Sequence, residues 1–433
     1  MTRRTALLGM AAVIIGFGAI VAPAQQQVRS DRAGMPTIVQ RLPYASRDWR
    51  LTLEVVLEGD YNHNYSRRQT TQDVIDLEKA VVVLPVAPAT ASSAPRTSDV
   101  VADLRGDRGQ IDATPRTLDD AGRLLEGYPG GDRLVALDVD ALTTHHLRAR
   151  VQVPMRCWET RIDERRAFAQ RWPTEDIEDL YPEEALSALQ PERFIESDAP
   201  EIRELVFNWT GGDPHILQPY TLAKTLAAKV IEHYMPLDDR YTTLTLDGGY
   251  NFYVVLPVAG TYYGLRVEGA VAAATADQHR GPVFDLPNLL CAVYRAAGIP
   301  ARVVIGYDTR SERQPNAYPA ITAWVEFFLW DNANARGEWV PVDIVPQRAF
   351  ASKAPPIQQP WKFFGQNEDS EWICPLSLHW HPPTFVMSEG PPLLWGWLPT
   401  PGDQHVTQRM RVLTTGLSKR GDDPPFDGTT ERP

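Results

Sequence analysis

Side chains suited to covalent chemistry on an acyl group fall close together in residues 279–343. This stretch contains the imidazole of His279, the thiol of Cys291 and the carboxylate of Asp343. A thiol that attacks a carbonyl, an imidazole that takes its proton and a carboxylate that orients the imidazole form a cysteine nucleophile site. Whether these residues act together depends on the helix and strands that hold them.

One helix is predicted inside this stretch. Apolar side chains recur at helical spacing between residues 286 and 297, which is typical of a helix with one buried face. Pro287 is tolerated only in a first turn, because a proline deeper in a helix removes a hydrogen bond. We therefore expect the helix to begin near Asp285, with Asp285 as its N-cap. Cys291 falls near the buried face, where a cysteine behaves as a small apolar residue.

Two strands are predicted after the helix. Alternation in residues 322–326 places Thr322 and Trp324 on the same face of the first strand. The second strand covers residues 339–343 and ends at Asp343. We expect the short loop between the strands to bring Thr322 roughly opposite Asp343.

Four short segments carry a family resemblance. GPVFD at 281–285, GIPAR at 298–302, TAWVE at 322–326 and WVPVD at 339–343 resemble, in this order, the catalytic segments of the transglutaminase-like superfamily. The resemblance implies a papain-like fold and a Cys-His-Asp triad, with the cysteine at the start of a helix and the other two residues on neighbouring strands.

Two of the three triad positions differ from that pattern. The cysteine falls on Val283 and the histidine on Thr322, whereas the aspartate is retained as Asp343; the flanking Gly281 and Asp285 match and fix the register. Valine has no ionisable atom, and a threonine hydroxyl is not a base near neutral pH. Because loss of a nucleophile or base alone costs on the order of a millionfold in rate, the sequence predicts that no intact catalytic triad remains.

The remaining chain indicates how many domains there are. At ~150 residues per domain, the chain suggests two or three domains. Alternating strands without a convincing helix predict a β-sandwich at 37–163, and short segments there also resemble the β-sandwich that precedes the catalytic domain in bacterial relatives. Residues 164–390 are assigned to the transglutaminase-like domain, and residues 391–433 to a C-terminal extension with a disordered end.

The predicted fold class is therefore α+β. An N-terminal β-sandwich is followed by a transglutaminase-like (papain-like) domain, in which an antiparallel sheet packs on a central helix.

The N-terminus has the features of an export signal. Two arginines precede an apolar run at residues 6–21, and Ala22–Ala24 supplies small residues for cleavage. We predict a signal peptide at 1–24 and a linker at 25–36, which implies export to the periplasm, the cell envelope or the medium. The apolar run is near the lower limit for crossing a bilayer, so an uncleaved N-terminal anchor is the alternative.

Charge and composition limit the partners. The net charge of -12 argues against nucleic acid, whose phosphates need a basic surface. It also argues against docking on anionic lipid, so membrane contact is expected only through an uncleaved N-terminal segment. No metal-ligand spacing is complete, and no metal or cofactor is predicted. Cys157, Cys291 and Cys374 leave open either one disulfide or three free buried thiols.

Three functional hypotheses follow. The first is an exported, catalytically degenerate transglutaminase-like protein that binds or scaffolds a peptide or protein surface at the cell envelope, with Trp324, Asp343 and His279 as candidate cleft residues. The second is an active cysteine hydrolase or amide transferase with a site rebuilt on Cys291 or His279. The third is a purely structural subunit of an envelope complex.

Overall fold

The computed structural model describes residues 37–417, apart from residues 60, 65–68, 108–115, 118–122, 126–128, 238–240, 244–255, 259–260, 266, 311–319, 381–393 and 405. The predicted signal peptide or anchor (1–24) and the linker (25–36) lie outside the described residues. Within the described ranges, no helix is both long enough and apolar enough to cross a bilayer.

Strands outnumber helices in the part of the chain that the structure describes. The strands are β1 (Val39–Gly59), β2 (Tyr61–Asn64), β3 (Gln69–Gln72), β4 (Ile75–Leu77), β5 (Lys79–Val86), β6 (Ser93–Pro95), β7 (Val101–Arg105), β8 (Arg116–Thr117), β9 (Arg123–Leu125), β10 (Arg133–Val139), β11 (Leu142–Thr144), β12 (His146–Ile162), β13 (Met235–Pro236), β14 (Tyr241–Thr243), β15 (Leu256–Val258), β16 (Thr261–Leu265), β17 (Arg280–Gly281), β18 (Ala301–Asp308), β19 (Ala320–Asp331), β20 (Arg336–Val342), β21 (Ile373–Ser377), β22 (Gly396–Thr400) and β23 (Val406–Gly416). The α-helices are α1 (Glu164–Ala169), α2 (Ile177–Leu180), α3 (Glu183–Ser187), α4 (Pro200–Thr210), α5 (Pro219–His233), α6 (Ala270–Thr275), α7 (Asp285–Ala296) and α8 (Ile344–Phe350).

The N-terminal half forms two facing sheets. One has the strand order β23-β1-β12-β7-β8, with β6 also paired to β12, and the other has the order β22-β5-β10-β9. Buried and more exposed residues alternate along β12, as expected for a strand with one face in a core. Inward side chains of both sheets, including Leu53, Leu84 and Leu137, belong to one buried apolar cluster.

Both sheets of the sandwich are completed by the end of the chain. β23 pairs antiparallel with β1 along Trp49–Gly59, and β22 pairs with β5. The predicted sandwich range of 37–163 therefore omits two strands, and the predicted C-terminal extension supplies them. β23 covers the edge of β1, and β22 covers the edge of β5. The backbone groups at these edges of β1 and β5 therefore pair with a neighbouring strand rather than with water.

The second half is built around a four-stranded sheet and helix α7. The sheet has the order β20-β19-β18-β21, and its described pairings are antiparallel. Alternate residues of β19, such as Val325 and Phe327, join the apolar cluster that contains the buried residues of α7. These arrangements confirm the predicted α+β class, with a β-sandwich followed by an antiparallel sheet packed on a central helix.

Helix α7 begins at a position that leaves its proline in the first turn. α7 begins at Asp285, with Phe284 as the N-cap and Pro287 in the first turn. The prediction that Asp285 is the N-cap is wrong, because Asp285 is the first helical residue. Its Oδ1 instead accepts hydrogen bonds from the backbone N–H groups of Glu268 and Gly269, at 2.9 and 3.0 Å.

Candidate functional site

The position of the expected nucleophile lies in an apolar environment. The Val283 side chain belongs to the main core cluster, and Val283 is only 5% exposed. The next residue, Phe284, packs edge-on against Trp380 with ring centroids 5.0 Å apart. Trp380 also donates a hydrogen bond from Nε1 to Asn288 Oδ1 at 2.8 Å. Packed aromatic and aliphatic groups therefore occupy the start of α7.

Gly281, which matches the family pattern, has a packing role. A Cβ built on Gly281 would lie 2.5 Å from the hydroxyl oxygen of Tyr234. That hydroxyl donates a hydrogen bond to the Pro282 carbonyl oxygen at 2.9 Å. Together with the hydrogen bonds that the Asp285 side chain accepts, this interaction holds the chain before α7 in place.

The register of β19 and β20 differs from the expectation. The hairpin closes at the pair Asp331–Arg336, and Val325 lies opposite Val342. The last pair is Val325–Val342. Continuing this register beyond the end of β20 leads from Asp343 to Trp324, two residues from Thr322, which the prediction placed roughly opposite Asp343. The physical reason is the four-residue turn, which places the closing pair and thereby sets every pair of the hairpin.

Thr322 and Asp343 have distinct surroundings. Thr322 is half-buried and lies opposite Gly306 of β18. Asp343 is the N-cap of α8, and its backbone N–H donates to the Phe363 carbonyl oxygen at 2.9 Å. Its carbonyl oxygen accepts from the N–H of Gln347 at 3.2 Å. The backbone of Asp343 thus joins β20, α8 and the segment that contains Phe363.

A small pocket includes two of the predicted cleft residues. Trp324 and Asp343 line it together with a residue from the sandwich, residues from the segment before β21 and the first residue of β21: Ser92, Phe363, Asn367, Glu368, Ser370 and Ile373. The space available in it to a water-sized group is about 10 Å³, which is on the scale of one water molecule. Val283, Thr322 and His279 are not among the lining residues, so the pocket is not a cleft between the three triad positions.

His279 lies elsewhere. Its side chain is exposed, and its ring centroid is 4.3 Å from that of His233. His233 Nε2 is 3.2 Å from the Ala274 carbonyl oxygen. The pKa of His233 is lowered, mainly by burial. The contact with the Ala274 carbonyl partly offsets this effect, and the charge of His279 adds to it. The two imidazoles form a pair at the end of α5, and no described contact joins this pair to the pocket.

None of the three cysteines is accessible. Cys157, Cys291 and Cys374 are free thiols, and each is buried. Burial raises the pKa of Cys291 to about 12, an effect that the charge of Arg295 only partly offsets. At neutral pH a thiol of this kind carries almost no thiolate, which is the nucleophilic form.

Two charged residues within the family-like segments hold the halves of the protein together. The guanidinium of Arg302 donates to Glu326 Oε2 at 2.8 Å and to the carbonyl oxygens of Gly130 and Ala89 at 2.9 and 3.0 Å. Glu326 Oε1 accepts from the backbone N–H of Ala91 at 2.8 Å. Because loop residues of the sandwich supply three of these contacts, the retained charges serve domain packing.

Sequence analysis did not identify a second buried charged network. Glu192 Oε2 is 2.5 Å from His379 Nδ1, and Glu192 Oε1 accepts from Arg295 Nη2 at 2.6 Å. Burial raises the pKa of Asp132, and the charge of His379 partly offsets this rise. Asp132 also accepts from Ser377 Oγ at 3.1 Å. These residues are far apart in sequence, and no local pattern identifies them as partners.

One group of carboxylates has the spacing of metal ligands. Among the described residues, only Glu159, Asp369 and Glu371 place three such oxygens within 4.8 Å of one another. Arg47 Nε is 3.9 Å from Glu371 Oε1, and Arg310 Nη1 is 2.7 Å from Asp369 Oδ2. Arginines therefore already balance two of the three carboxylates.

Comparison with known proteins identifies a segment in the second half of the chain. Residues 259–344 match the family model described as the transglutaminase-like superfamily. The chain carries a transglutaminase-like domain. The matched stretch runs from β16 through α7 to the first residue of α8, and it includes all three triad positions. None of the curated protein sequences compared with the chain matches it significantly.

Three solved structures are similar to the chain. A candidate cysteine protease from Cytophaga hutchinsonii has 14% sequence identity and a TM-score of 0.47, with 90% of this chain and 97% of that chain covered. The periplasmic domain of TgpA from Pseudomonas aeruginosa has 14% identity and a TM-score of 0.25, with 73% and 95% covered. A candidate protease from Parabacteroides distasonis has 11% identity and a TM-score of 0.21, with 70% and 58% covered.

Proposed function

We propose that this protein is an exported, catalytically degenerate transglutaminase-like protein that binds or scaffolds a peptide or protein surface at the cell envelope. Export is supported by the basic, apolar and small-residue pattern of residues 1–24. The transglutaminase-like domain is retained as a fold, whereas its nucleophile and base positions carry Val283 and Thr322.

The observation that carries this proposal is the burial of every thiol in the chain. A cysteine enzyme needs an accessible thiolate, and a site rebuilt on another cysteine would need the same. The chain has three cysteines, and all of them are buried. Cys291, the one on α7, has its pKa raised to about 12 by burial. His279, the proposed substitute base, is paired with His233 rather than with a thiol.

Thiol labelling tests the proposal directly. The folded protein is treated with iodoacetamide at neutral pH, and the labelled cysteines are located by mass spectrometry before and after denaturation. We expect all three thiols to react only after denaturation. Cys157→Ala and Cys374→Ala serve as matched controls for Cys291→Ala, because each removes one buried thiol.

An activity assay completes the test. Incorporation of dansylcadaverine into dimethylcasein and hydrolysis of casein are measured for the wild type and the three alanine variants. We expect no turnover above background. Rapid native labelling of Cys291, together with turnover that only Cys291→Ala abolishes, would establish the rival hypothesis of an active cysteine enzyme.

A further inference from the structure

Three carboxylates meet where the sandwich touches the transglutaminase-like domain. Glu159 belongs to strand β12 of the sandwich, whereas Asp369 and Glu371 lie in the segment before β21. Each side chain offers one oxygen, and the three oxygens lie within 4.8 Å of one another. Calcium binds oxygen ligands at about 2.3–2.6 Å, so ligands on opposite sides of one ion are about 5 Å apart. The spacing therefore allows one calcium ion to contact all three oxygens.

One buried oxygen of this group has no partner. Glu371 is 8% exposed, and its Oε2 has no hydrogen-bond partner among the described residues. Because Oε1 and Oε2 share one carbon atom, Oε2 lies at the group of ligand oxygens. Burial is the main cause of the raised pKa of Glu371, and the charges of Glu159 and Asp369 raise it further. A buried acceptor without a donor is costly, and a bound cation would remove that cost.

Arginines face two of the carboxylates but leave negative charge over. Arg47 Nε is 3.9 Å from Glu371 Oε1, which is beyond hydrogen-bond distance. Arg310 Nη1 is 2.7 Å from Asp369 Oδ2, but the same guanidinium also pairs with Asp308 at 2.8 Å. The charge of Arg310 is thus divided between two aspartates, and the group still attracts a cation.

The group is reachable from solvent. The Asp369 side chain is 59% exposed. Glu159 is half-buried and has no ion-pair partner in the part of the chain that the structure describes. A cation can therefore enter from the side of these two carboxylates. Calcium takes about 6–8 oxygen ligands, including water, so water molecules on the open side would complete its coordination.

Backbone contacts hold the segment that carries two of the ligands against the sandwich. Trp49 Nε1 donates to the Glu371 carbonyl oxygen at 2.8 Å, and Ser370 Oγ donates to the Trp158 carbonyl oxygen at 2.7 Å. The carboxylates are therefore positioned before an ion binds, which lowers the cost of binding.

The type of donor favours calcium over other metals. All three donors are carboxylate oxygens, which suit magnesium, calcium and manganese rather than zinc or copper. Magnesium requires a nearly ideal octahedron and gives up its water reluctantly, whereas calcium accepts irregular geometry. Three carboxylates from two separate segments provide an irregular site.

We propose that Glu159, Asp369 and Glu371 bind one calcium ion, which joins strand β12 of the sandwich to the segment before β21. The ion neutralises the remaining negative charge and stabilises the contact between these two parts of the chain. The site does not depend on the proposed binding of a peptide or protein surface.

Calorimetric titration of the full chain with calcium chloride tests this inference. The protein is freed of metal with a chelator and titrated at physiological ionic strength, which screens weak binding to the acidic surface. We expect one saturable site with a Kd of about 10⁻⁴–10⁻³ M, the range of extracellular calcium modules. Magnesium should bind at least about tenfold more weakly, because the site is irregular.

Substitution of an exposed ligand has a matched control. Asp369→Asn removes one ligand charge, and asparagine tolerates the left-handed backbone of this residue, whose φ is 66°. We expect Asp369→Asn and Glu159→Gln each to weaken calcium binding at least about tenfold, since loss of an outer-shell partner alone costs about 10–100-fold. Glu204→Gln removes the same charge from an exposed position on α4 and should leave calcium binding unchanged.

Two further measurements locate the ion. The midpoint of thermal unfolding should rise with calcium concentration in the wild type, because the ion binds the folded state, and should rise much less in Asp369→Asn. Terbium, which occupies calcium sites, should give emission sensitised by tryptophan, because Trp49 and Trp372 lie beside Glu371. Added calcium should displace the terbium and remove this emission.

Four results would overturn the assignment. They are the absence of saturable calcium binding at millimolar concentration, equal affinity for magnesium, equal affinity in the wild type and Asp369→Asn, and equal weakening by Glu204→Gln. The last two would mean that the acidic surface as a whole, with a net charge of -12, attracts the ion. Thiol labelling decides the proposed non-catalytic function separately, whatever the calcium titration shows.

Discussion

The contribution of Glu192 to stability should depend strongly on pH. Its carboxylate lies between His379 Nδ1 and Arg295 Nη2, at 2.5 and 2.6 Å. Burial alone would raise the pKa of Glu192. The charges of His379 and Arg295, together with their hydrogen bonds, outweigh burial and lower the pKa from 4.5 to about 2. The charged form of Glu192 is therefore the form that stabilises the folded protein.

The pKa difference sets the magnitude. The difference between the unfolded pKa of 4.5 and the folded pKa of about 2 corresponds to ~3 kcal/mol. The side chain is 19% exposed, and screening reduces the contribution to about 2 kcal/mol. Because the folded pKa is depressed, this stability is fully present above the unfolded value of 4.5 and is lost as the pH falls towards about 2.

Urea unfolding of Glu192→Gln checks this expectation. The glutamine amide mimics the protonated carboxyl, so the variant should be less stable than wild type by about 2 kcal/mol at neutral pH. The difference should shrink steadily at a series of pH values down to about 3. Glu338→Gln is the control of opposite sign. Burial raises the pKa of Glu338, so its stability contribution is largest below the unfolded pKa and is lost as the pH rises.

Two results would refute the reasoning. One is a Glu192→Gln destabilisation that is the same at neutral and acidic pH, which would mean that packing rather than charge is lost. The other is a pH slope for Glu338→Gln of the same sign as for Glu192→Gln.

Three further predictions concern the transglutaminase-like domain. Arg302→Met should lower the free energy of unfolding by about 3–5 kcal/mol, measured by urea denaturation, because Glu326 is left buried and uncompensated. A loss below about 1 kcal/mol would contradict a stabilising role of the Arg302–Glu326 pair. In the double variant Val283→Cys, Thr322→His, titration of the thiolate absorbance should give a pKa no lower than that of an ordinary cysteine, about 8.5, because position 283 is buried and precedes α7. A strongly depressed value would mean that the site geometry survives. Gly306→Ala should cost about 1–3 kcal/mol in thermal or urea unfolding, since its Cβ would meet an indole carbon of Trp324 at 2.6 Å; an unchanged midpoint would show that the indole moves freely.

The sequence by itself determined the features that depend on neighbouring residues. Pro287 restricted the start of α7 because a proline is tolerated in only the first turn of a helix. Alternation identified the strands of the sandwich, since side chains of a strand point to opposite faces in turn. The sequence shows directly that position 283 is a valine and carries no thiol. The fold class followed because these local patterns agree with one another.

Only the tertiary structure decided how distant segments meet. The pairing of β19 with β20 runs from Asp331–Arg336 to Val325–Val342 and does not reach Thr322, because the turn that closes the hairpin sets the register of every pair. The strands at 396–400 and 406–416 return to the sandwich, and open sheet edges rather than local pattern determine that pairing. Burial of the cysteines and the meeting of Glu159 with Asp369 and Glu371 also depend on residues far away in the sequence. Local propensity acts over a few residues, whereas packing and charge pairing act wherever the folded chain brings groups together.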